Sequence, residues 1–224
     1  MVTLALDTST PVGSVAVGRD GQVLAESSLR VRATHSEAVL PEVDRLLTAC
    51  GLGARDLQAV VVGSGPGSFT GVRIAASLAK GMCHARDLAL FSFSSLAAVA
   101  VGARCEEPVC AMFDARRGQV YAAGYRVGEG FEELFAPRAA ALEQVLEDLD
   151  EPGAWCFAGD GVGPGESAIR EAGGRILDPD TWAPQARSLL WLAWTHPGRG
   201  HVPEPGSWEP GYVRLPAAQR GIGA

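Results

Sequence analysis

The sequence carries the same order of predicted elements twice, and this repeat constrains the fold more than any other feature. In each half, three β-type segments precede a helix, and strands and helices then alternate in the order β-β-β-α-β-α-β-α. The first strand ends at Asp7 in one half and at Asp114 in the other, and glycine-rich turns begin at Gly63 and Gly159. The pattern predicts an α/β protein of two similar lobes, each a mixed sheet with flanking helices.

The segment at residues 102–108 has the composition of a boundary between the two halves. We therefore expect a first lobe over residues 1–104 and a second over residues 105–224, with the C-terminal segment as a candidate to pack back on the first lobe. The Pro- and Gly-rich stretch over 196–211 predicts an ordered loop, and a helix is predicted over 139–149.

Composition excludes several classes of protein. With 47% hydrophobic and 20% charged residues, the 224-residue chain is typical of a globular protein with a substantial core. The net charge of −7 indicates that this chain is not the main nucleic-acid-binding subunit of a complex, because affinity for nucleic acids comes largely from Lys and Arg. Because no apolar run reaches the ~20 residues of a membrane helix and the N-terminus lacks a basic signal-peptide region, we expect no membrane association and a cytoplasmic location.

The five cysteines form no CxxC motif. Most stand in apolar surroundings, which favours buried thiols in a reducing compartment. A disulfide bond between Cys105 and Cys110 is the alternative.

A burst of glycines over residues 63–71 separates a buried strand from a helix predicted over 69–83. Two interpretations remain open: backbone N–H groups that cradle a phosphate, or a turn that lets two pieces of protein pack closely. The Walker and dinucleotide motifs are both incomplete, because no Lys-Ser/Thr pair follows the glycines and Ser68 replaces the third glycine. The candidate phosphate-loop residues, including the turn after the first strand, are Asp7, Thr8, Ser9, Gly65, Pro66, Gly67 and Ser68.

The two helices of the first half have unusual surfaces. A capping box at Thr34 and Glu37 predicts the start of an amphipathic helix, which Pro41 is expected to distort. The second helix is rich in small and apolar residues on most of its faces, so it is buried either inside its own fold or against another protein.

Other chemistry has weaker support in the sequence. No two of the four histidines have the i,i+4 spacing of a helical metal site, so we expect no metal. The alternative is a site formed by His35 with Asp44 or Glu37, which has only one imidazole to support it. Arg116 and Arg117 lie in a turn between strands, where they form either an ordinary surface turn or a site for an anion, RNA or an acidic partner.

Five segments together resemble the TsaB (YeaZ) family of bacterial proteins that make threonylcarbamoyladenosine in tRNA. They occur in the family's order along nearly the whole chain, and "GSGPGSFTGVRIA" at residues 63–75 is the most specific. The others are "LALDTST" at 4–10, "THSEAVLPEVDRLL" at 34–47, "DARRGQVYAAGY" at 114–125 and "EPGYVR" at 209–214.

The resemblance implies two actin-like (ASKHA, RNase H-like) lobes and a non-catalytic subunit. The expected partners are TsaD (YgjD), which transfers threonylcarbamoyl to the tRNA adenosine next to the anticodon, and the ATPase TsaE, with tRNA held through the complex. The chain keeps His35, but Val39 stands where the metal-binding His-x-x-x-His pair of TsaD has its second histidine. No cofactor is expected in this chain itself, whereas ATP or ADP is a candidate ligand at the complex interface, and a homodimer is expected when the partner is absent.

The family's contact with TsaD uses the first two helices. Carried onto this sequence, the expected contact residues are His35, Ser36, Glu37, Val39, Leu40, Val43, Asp44, Leu47, Phe69, Thr70, Val72, Arg73, Ala76 and Lys80. We expect Ala76→Arg and Leu40→Asp to break partner binding without unfolding the lobe.

Two rival functions stay open. A stand-alone actin-like ATPase would use Asp7 and the glycine loop, although Thr8 stands where such enzymes have glycine. A glycoprotease-type metallopeptidase would need a bound metal, which the histidine spacing disfavours.

Overall fold

The computed structural model describes residues 1–30, 35–128, 130–211 and 213. Within these residues the chain follows the predicted order β-β-β-α-β-α-β-α twice, and two short elements follow. The strands are β1 (Val2–Asp7), β2 (Val12–Arg19), β3 (Gln22–Arg30), β4 (Ala59–Gly63), β5 (Ala89–Phe93), β6 (Val109–Arg116), β7 (Gln119–Val127), β8 (Phe131–Ala141), β9 (Cys156–Ala158), β10 (Arg175–Ile176) and β11 (His201–Val202). The helices are α1 (His35–Ala49), α2 (Phe69–Arg86), α3 (Ser95–Ala103), α4 (Leu142–Glu147), α5 (Glu166–Glu171), α6 (Ala186–Thr195) and α7 (Pro197–Gly200).

The first sheet has β1 and β4 at its centre. Its strand order is β11-β5-β4-β1-β2-β3, with β1 parallel to β4 and antiparallel to β2. Every residue of β1 and β4 is buried, which explains why β4 is a continuous apolar run and why β1 is largely apolar on both faces.

The second sheet repeats this arrangement in the order β10-β9-β6-β7-β8. Strand β6 takes the place of β1, because it is antiparallel to β7 and parallel to β9. The duplicated mixed-sheet architecture predicted from the sequence is therefore confirmed.

Helices fill three layers around the two sheets. A central cluster joins Ala5 and Val61 of the first sheet to Ala111 of the second through apolar residues of α3 and α6. A second cluster lies between the first sheet and the helices α1 and α2, and a third lies between the second sheet and the helices α4 and α5. The helices α1 and α2 thus cover the outer face of the first sheet with one side each, and their other sides face away from the sheet.

The chain returns to the first sheet near its C-terminus. In β11, His201 pairs antiparallel with Phe91, and Val202 pairs with Leu90 of β5. The predicted loop over 196–211 is therefore wrong in part, because α7 and β11 lie within it. The lobe boundary at 104/105 stays a prediction.

Two further local predictions are corrected. Residues 139–141 continue β8 instead of starting a helix, because Ala139 pairs with Tyr121 of β7, so α4 begins at Leu142. The disulfide alternative also fails: Cys110 is buried in the third cluster, while the sulfur of Cys105 faces Cys156.

Helix α1 continues through Pro41, and the predicted cap at Thr34 lies outside the described residues. None of the helices in the described part of the chain is long and apolar enough to cross a membrane.

Candidate partner-binding surface

Helices α1 and α2 lie side by side with one face in the core and one face outward. In α2 the buried residues Val72, Ala75, Ala79 and Cys83 recur every three or four positions, as expected of one helical face. The helix begins at a cap in which the Ser68 side chain accepts a hydrogen bond from the backbone N–H of residue 71. These small core residues let α2 approach the sheet closely while its other side stays exposed.

An apolar groove runs between the outward faces of α1 and α2. Its volume is about 660 Å³, and Leu40 at its α1 edge is 51% exposed. Leu40 and the apolar groove form one contiguous exposed apolar patch, which makes this face a candidate interaction site. The groove is lined by Leu40, Pro41, Val43, Asp44, Leu47, Ala54, Leu57, Ser77, Leu78, Gly81, Met82, Ala85, Arg86 and Leu88.

A second hollow of about 450 Å³ adjoins this groove near the N-terminal ends of both helices. The two share Ser77 and Leu78 in their walls. Here the Phe69 ring is 39% exposed, and Cζ of Arg73 lies 3.8 Å from the ring centroid. Aromatic and arginine side chains are enriched at protein interfaces, so this exposed pair adds to the candidate surface. We call the groove and this hollow together the α1–α2 surface.

The predicted contact residues divide between this surface and the core. Those that are exposed and line the groove or the hollow are Ser36, Leu40, Asp44, Phe69, Thr70 and Arg73, whereas Glu37 is exposed but lines neither. Val43 and Leu47 are buried but line the groove floor. Val39, Val72 and Ala76 are buried and line neither hollow, so their side chains pack within the chain itself. The side chain of His35 lies outside what the structure describes.

The burial of Ala76 corrects one expectation. Its exposed fraction is 5%, and an arginine side chain at this position would have to enter the protein's own packing. Ala76→Arg would therefore disturb the fold as well as any surface contact, because overpacking a core is itself destabilising.

Lys80 contacts the chain's own C-terminal segment. Its Nζ donates a 2.9 Å hydrogen bond to the carbonyl oxygen of Trp208 and lies 3.7 Å from a carboxylate oxygen of Glu209. Trp208 in turn packs against the core cluster beneath α1 and α2. Lys80 thus holds the C-terminal segment at residues 204–211 against α2.

The carboxylate of Asp7, a candidate phosphate-loop residue, is fully buried and hydrogen-bonded within the chain. One oxygen accepts from the backbone N–H and the hydroxyl of Ser9 at 2.7 and 2.6 Å, and the other accepts from Ser95 Oγ at 2.6 Å. Such bonds fix the turn after β1 against the start of α3.

The glycine loop packs directly on this turn. The backbone N–H of Ser68 donates to the carbonyl oxygen of Ser9 at 2.7 Å, and that of Gly65 donates to Ser95 Oγ at 3.1 Å. A Cβ atom on Gly67 would lie 2.3 Å from the Ser9 carbonyl oxygen. The backbone donors of Gly65 and Ser68 are therefore occupied by protein atoms, while the role of the loop in binding a phosphate stays a prediction.

Arg116 and Arg117 form the turn between β6 and β7, with φ of 63° and 56°. Both are exposed and border a hollow of about 560 Å³ that also contains Asp114 and Glu143. Because carboxylates lie in the same wall, the hollow is of mixed charge rather than a purely cationic site. Its role in binding an anion or RNA stays a prediction.

Sequence reasoning missed two features. The groove-lining side of α2, which includes Ser77, Leu78, Gly81 and Met82, follows helical spacing and was readable from the sequence. The second feature is a side-chain cluster of Cys105, Glu107 and Cys156, whose ligand atoms lie within 4.8 Å of one another. No local pattern signals it, because the second cysteine lies 51 residues away along the chain.

The fold and the α1–α2 surface define an actin-like protein of two lobes with an exposed apolar helix pair. The ethanolamine utilization protein EutJ of Carboxydothermus hydrogenoformans shares this fold, with a TM-score of 0.51 at 12% identity over 87% of this chain and 89% of that one. A TsaD family model, described as tRNA N6-adenosine threonylcarbamoyltransferase, matches residues 23–155.

The chain belongs to the TsaB (YeaZ) family. The tRNA threonylcarbamoyladenosine biosynthesis protein TsaB of Escherichia coli is 33% identical over 96% of this chain and 95% of its own. The protein of the same name from Bacillus subtilis is 36% identical over 68% of this chain and 69% of its own. A Pseudomonas aeruginosa structure described as similar to the peptidase YeaZ has a TM-score of 0.83 at 32% identity, covering 95% of this chain and 99% of that one.

Proposed function

We propose that this protein is a non-catalytic subunit in the synthesis of threonylcarbamoyladenosine in tRNA. It binds TsaD through the α1–α2 surface and holds TsaD in the shape that transfers threonylcarbamoyl to the adenosine next to the anticodon. The names of its relatives support the pathway, and the match to the TsaD family model supports a partner with a related fold.

One observation carries the assignment of the surface. The groove between α1 and α2 is continuous, apolar and open, and it is bordered by Leu40 with half of its surface exposed. A related helix pair on TsaD would fill it with apolar side chains and exclude water, which is the usual driving force of a stable interface. When TsaD is absent, a second copy of this chain would cover the same apolar area as a homodimer.

The turn after β1 supports a role without catalysis. An actin-like ATPase needs a carboxylate near the nucleotide to hold a metal ion. Here the Asp7 carboxylate accepts from Ser9 and Ser95, and the glycine loop rests against the Ser9 carbonyl. We therefore place any ATP or ADP at the junction with the partners, where TsaE also docks, and we place the tRNA contact on the complex in the cytoplasm.

The first test is an omission assay. Modified tRNA is measured with the purified adenylate synthase, TsaD and TsaE, with and without this chain. We expect modification only when the chain is present, and no ATP hydrolysis by the chain alone. If modification is unchanged without the chain, the proposal fails; if the isolated chain hydrolyses ATP and the activity is lost in Asp7→Asn, the stand-alone ATPase is correct.

A further inference from the structure

Two thiols from distant parts of the chain meet at the edge of the second sheet. Cys105 lies between α3 and β6, and Cys156 is the first residue of β9. Their Sγ atoms are 2.6 Å apart. Because a disulfide bond is about 2.05 Å long, a closer approach of roughly 0.5 Å would join them. We propose that Cys105 and Cys156 are a redox modification site that forms a reversible disulfide bond.

Arg175 holds both sulfur atoms in place. It lies on β10 directly beside Cys156, and its Nη2 is 2.9 Å from Sγ of Cys156 and 3.2 Å from Sγ of Cys105. Glu107 accepts a 2.7 Å hydrogen bond from the same nitrogen, which fixes the guanidinium from the solvent side. Arg175 is thus a positioning residue for the sulfur pair.

The same guanidinium disfavours a metal ion at this cluster. A divalent cation bound by Cys105, Glu107 and Cys156 would lie next to the positive charge of Arg175, which already contacts all three side chains. Three ligands are also one fewer than a structural zinc site needs. The arrangement therefore fits a sulfur–sulfur bond better than a metal centre.

The pair is within reach of a small oxidant. Its two covering side chains, Arg175 and Glu107, are 56% and 51% exposed, while Cys105 retains 7% of its surface and Cys156 retains 1%. Movement of these two surface side chains would uncover Cys105 first. By contrast, Cys110 is fully buried in the third cluster and faces neither sulfur of the pair.

The oxidant we propose is a low-molecular-weight disulfide, written RSSR. The Cys105 thiol loses its proton to water, and its thiolate attacks one sulfur of RSSR, which forms a mixed disulfide and releases one RS⁻. The Cys156 thiol also loses its proton to water, and its thiolate attacks Sγ of Cys105 and releases the second RS⁻. The two leaving groups take up two protons. In total the protein loses two protons and two electrons, and RSSR is reduced to two RSH.

The environment makes this exchange slow at neutral pH. Burial, followed by the hydrogen bonds to Cys156 and Glu107, raises the pKa of the Cys105 thiol to about 12. Since only the thiolate attacks, the rate should rise about tenfold for each unit between pH 7 and pH 9. The bond would therefore report prolonged oxidising conditions rather than brief ones.

The disulfide bond would link strand β9 covalently to the segment between α3 and β6, which connects the two sheets. The bond would close a chain loop whose ends are 51 residues apart, which restricts the unfolded chain. We expect the oxidised protein to melt on the order of 5 °C higher than the reduced protein.

The test uses the purified full chain with oxidised glutathione at pH 8.5. Thiol titration in denaturant should fall from five to three. Digestion with trypsin and Glu-C cuts after Arg104 and Glu106, which separates Cys105 from Cys110, so mass spectrometry should find Cys105 linked to the peptide that contains Cys156. Dithiothreitol should restore all five thiols and the lower Tm. A link from Cys105 to Cys110, or five thiols after oxidation, would overturn the proposal.

Several matched variants are compared, so that the conclusion does not depend on whether any single variant folds. Cys110→Ala should retain both the link and the Tm difference between oxidised and reduced samples, whereas Cys105→Ala and Cys156→Ala should lose both. Arg175→Met should slow bond formation several-fold while leaving the linked product the same. If instead the reduced protein retains one equivalent of Zn²⁺ after dialysis and Cys156→Ala abolishes this, the cluster is a metal site and the disulfide assignment is wrong.

Discussion

The hydroxyl of Thr8 donates a 2.6 Å hydrogen bond to the carbonyl oxygen of Gly71 in the first turn of α2. The backbone of Thr8 also contacts this residue, because its carbonyl oxygen lies 1.9 Å from the point that a Cβ atom on Gly71 would occupy. The turn after β1 and the start of α2 therefore touch through backbone atoms. This contact explains why a glycine is needed at this helical position without invoking a bound phosphate.

Gly71→Ala should lower the free energy of unfolding by about 2–3 kcal/mol, because the new methyl group must displace the Thr8 backbone. The matched control is Gly81→Ala in the same helix, where no atom lies within 4 Å of the added Cβ. There the alanine should raise stability by up to ~1 kcal/mol through helix propensity. Urea unfolding of both variants measures the difference, and equal effects would show that the Thr8 contact does not constrain the position.

Substitutions in the groove should break partner binding without unfolding the chain. Leu40→Asp places a charge at the exposed α1 edge of the groove, and Gly81→Arg places a long charged side chain in the groove from the α2 side. Both should weaken the complex with TsaD at least tenfold, because an unpaired charge would be desolvated in an apolar contact. Isothermal titration calorimetry gives the Kd, and circular dichroism checks that each variant is folded.

The controls for the groove are Thr48→Asp on α1 and His84→Arg on α2. Both residues are exposed and line neither hollow. They should bind TsaD as the parent protein does. If Leu40→Asp and Gly81→Arg also bind normally, the α1–α2 surface is not the partner site, whatever the outcome of the omission assay.

Lys80→Met should loosen the C-terminal segment over 204–211. The hydrogen bond to the Trp208 carbonyl disappears, and the loss of this charge-assisted bond should cost about 1–2 kcal/mol locally. The ion pair with Glu209 adds little, since that carboxylate is 73% exposed. Hydrogen–deuterium exchange of the segment should accelerate in Lys80→Met and stay near the parent rate in Lys80→Arg, which keeps a donor. Unchanged exchange in Lys80→Met would mean that Trp208 packing alone holds the segment.

The ion pair of Glu42 and Arg45 on α1 should give a small pH-dependent stability. The hydrogen bond from the Arg45 guanidinium holds the pKa of Glu42 below its usual 4.5. Since the folded-state pKa is the lower one, the unfolded state binds more protons as the pH falls below 4.5, and the contribution is lost in that range. Because Arg45 is 62% exposed, solvent screens the ion pair and the coupling should be small.

A double-mutant cycle measures this coupling. Urea unfolding of Glu42→Gln, Arg45→Gln and the combined variant should give the coupling at pH 7, and this coupling should decrease as the pH is lowered below 4.5 and Glu42 takes up its proton. A coupling that does not change with pH would assign the effect to packing rather than to charge.

Local patterns predicted the elements well but not which outward surfaces they form. The spacing of apolar residues placed α1 and α2 nearly at their observed bounds. It could not separate Leu40, which is exposed, from Val39, which is fully buried, because both are apolar neighbours on an amphipathic helix. Orientation against the sheet decides between them. The same limit applied to Ala76, whose small size suits either a close helix contact or a core.

By itself, the sequence determined the duplicated order of strands and helices, because helical and strand periodicities are local properties of the chain. It also determined the family, through motifs such as the glycine loop. Only the tertiary structure decided that Ser9 packs against that loop, that β11 pairs with β5, and that Cys105 meets Cys156. These contacts join residues far apart in the chain, and their partners are selected by the packing of whole sheets and helices, which no local pattern encodes.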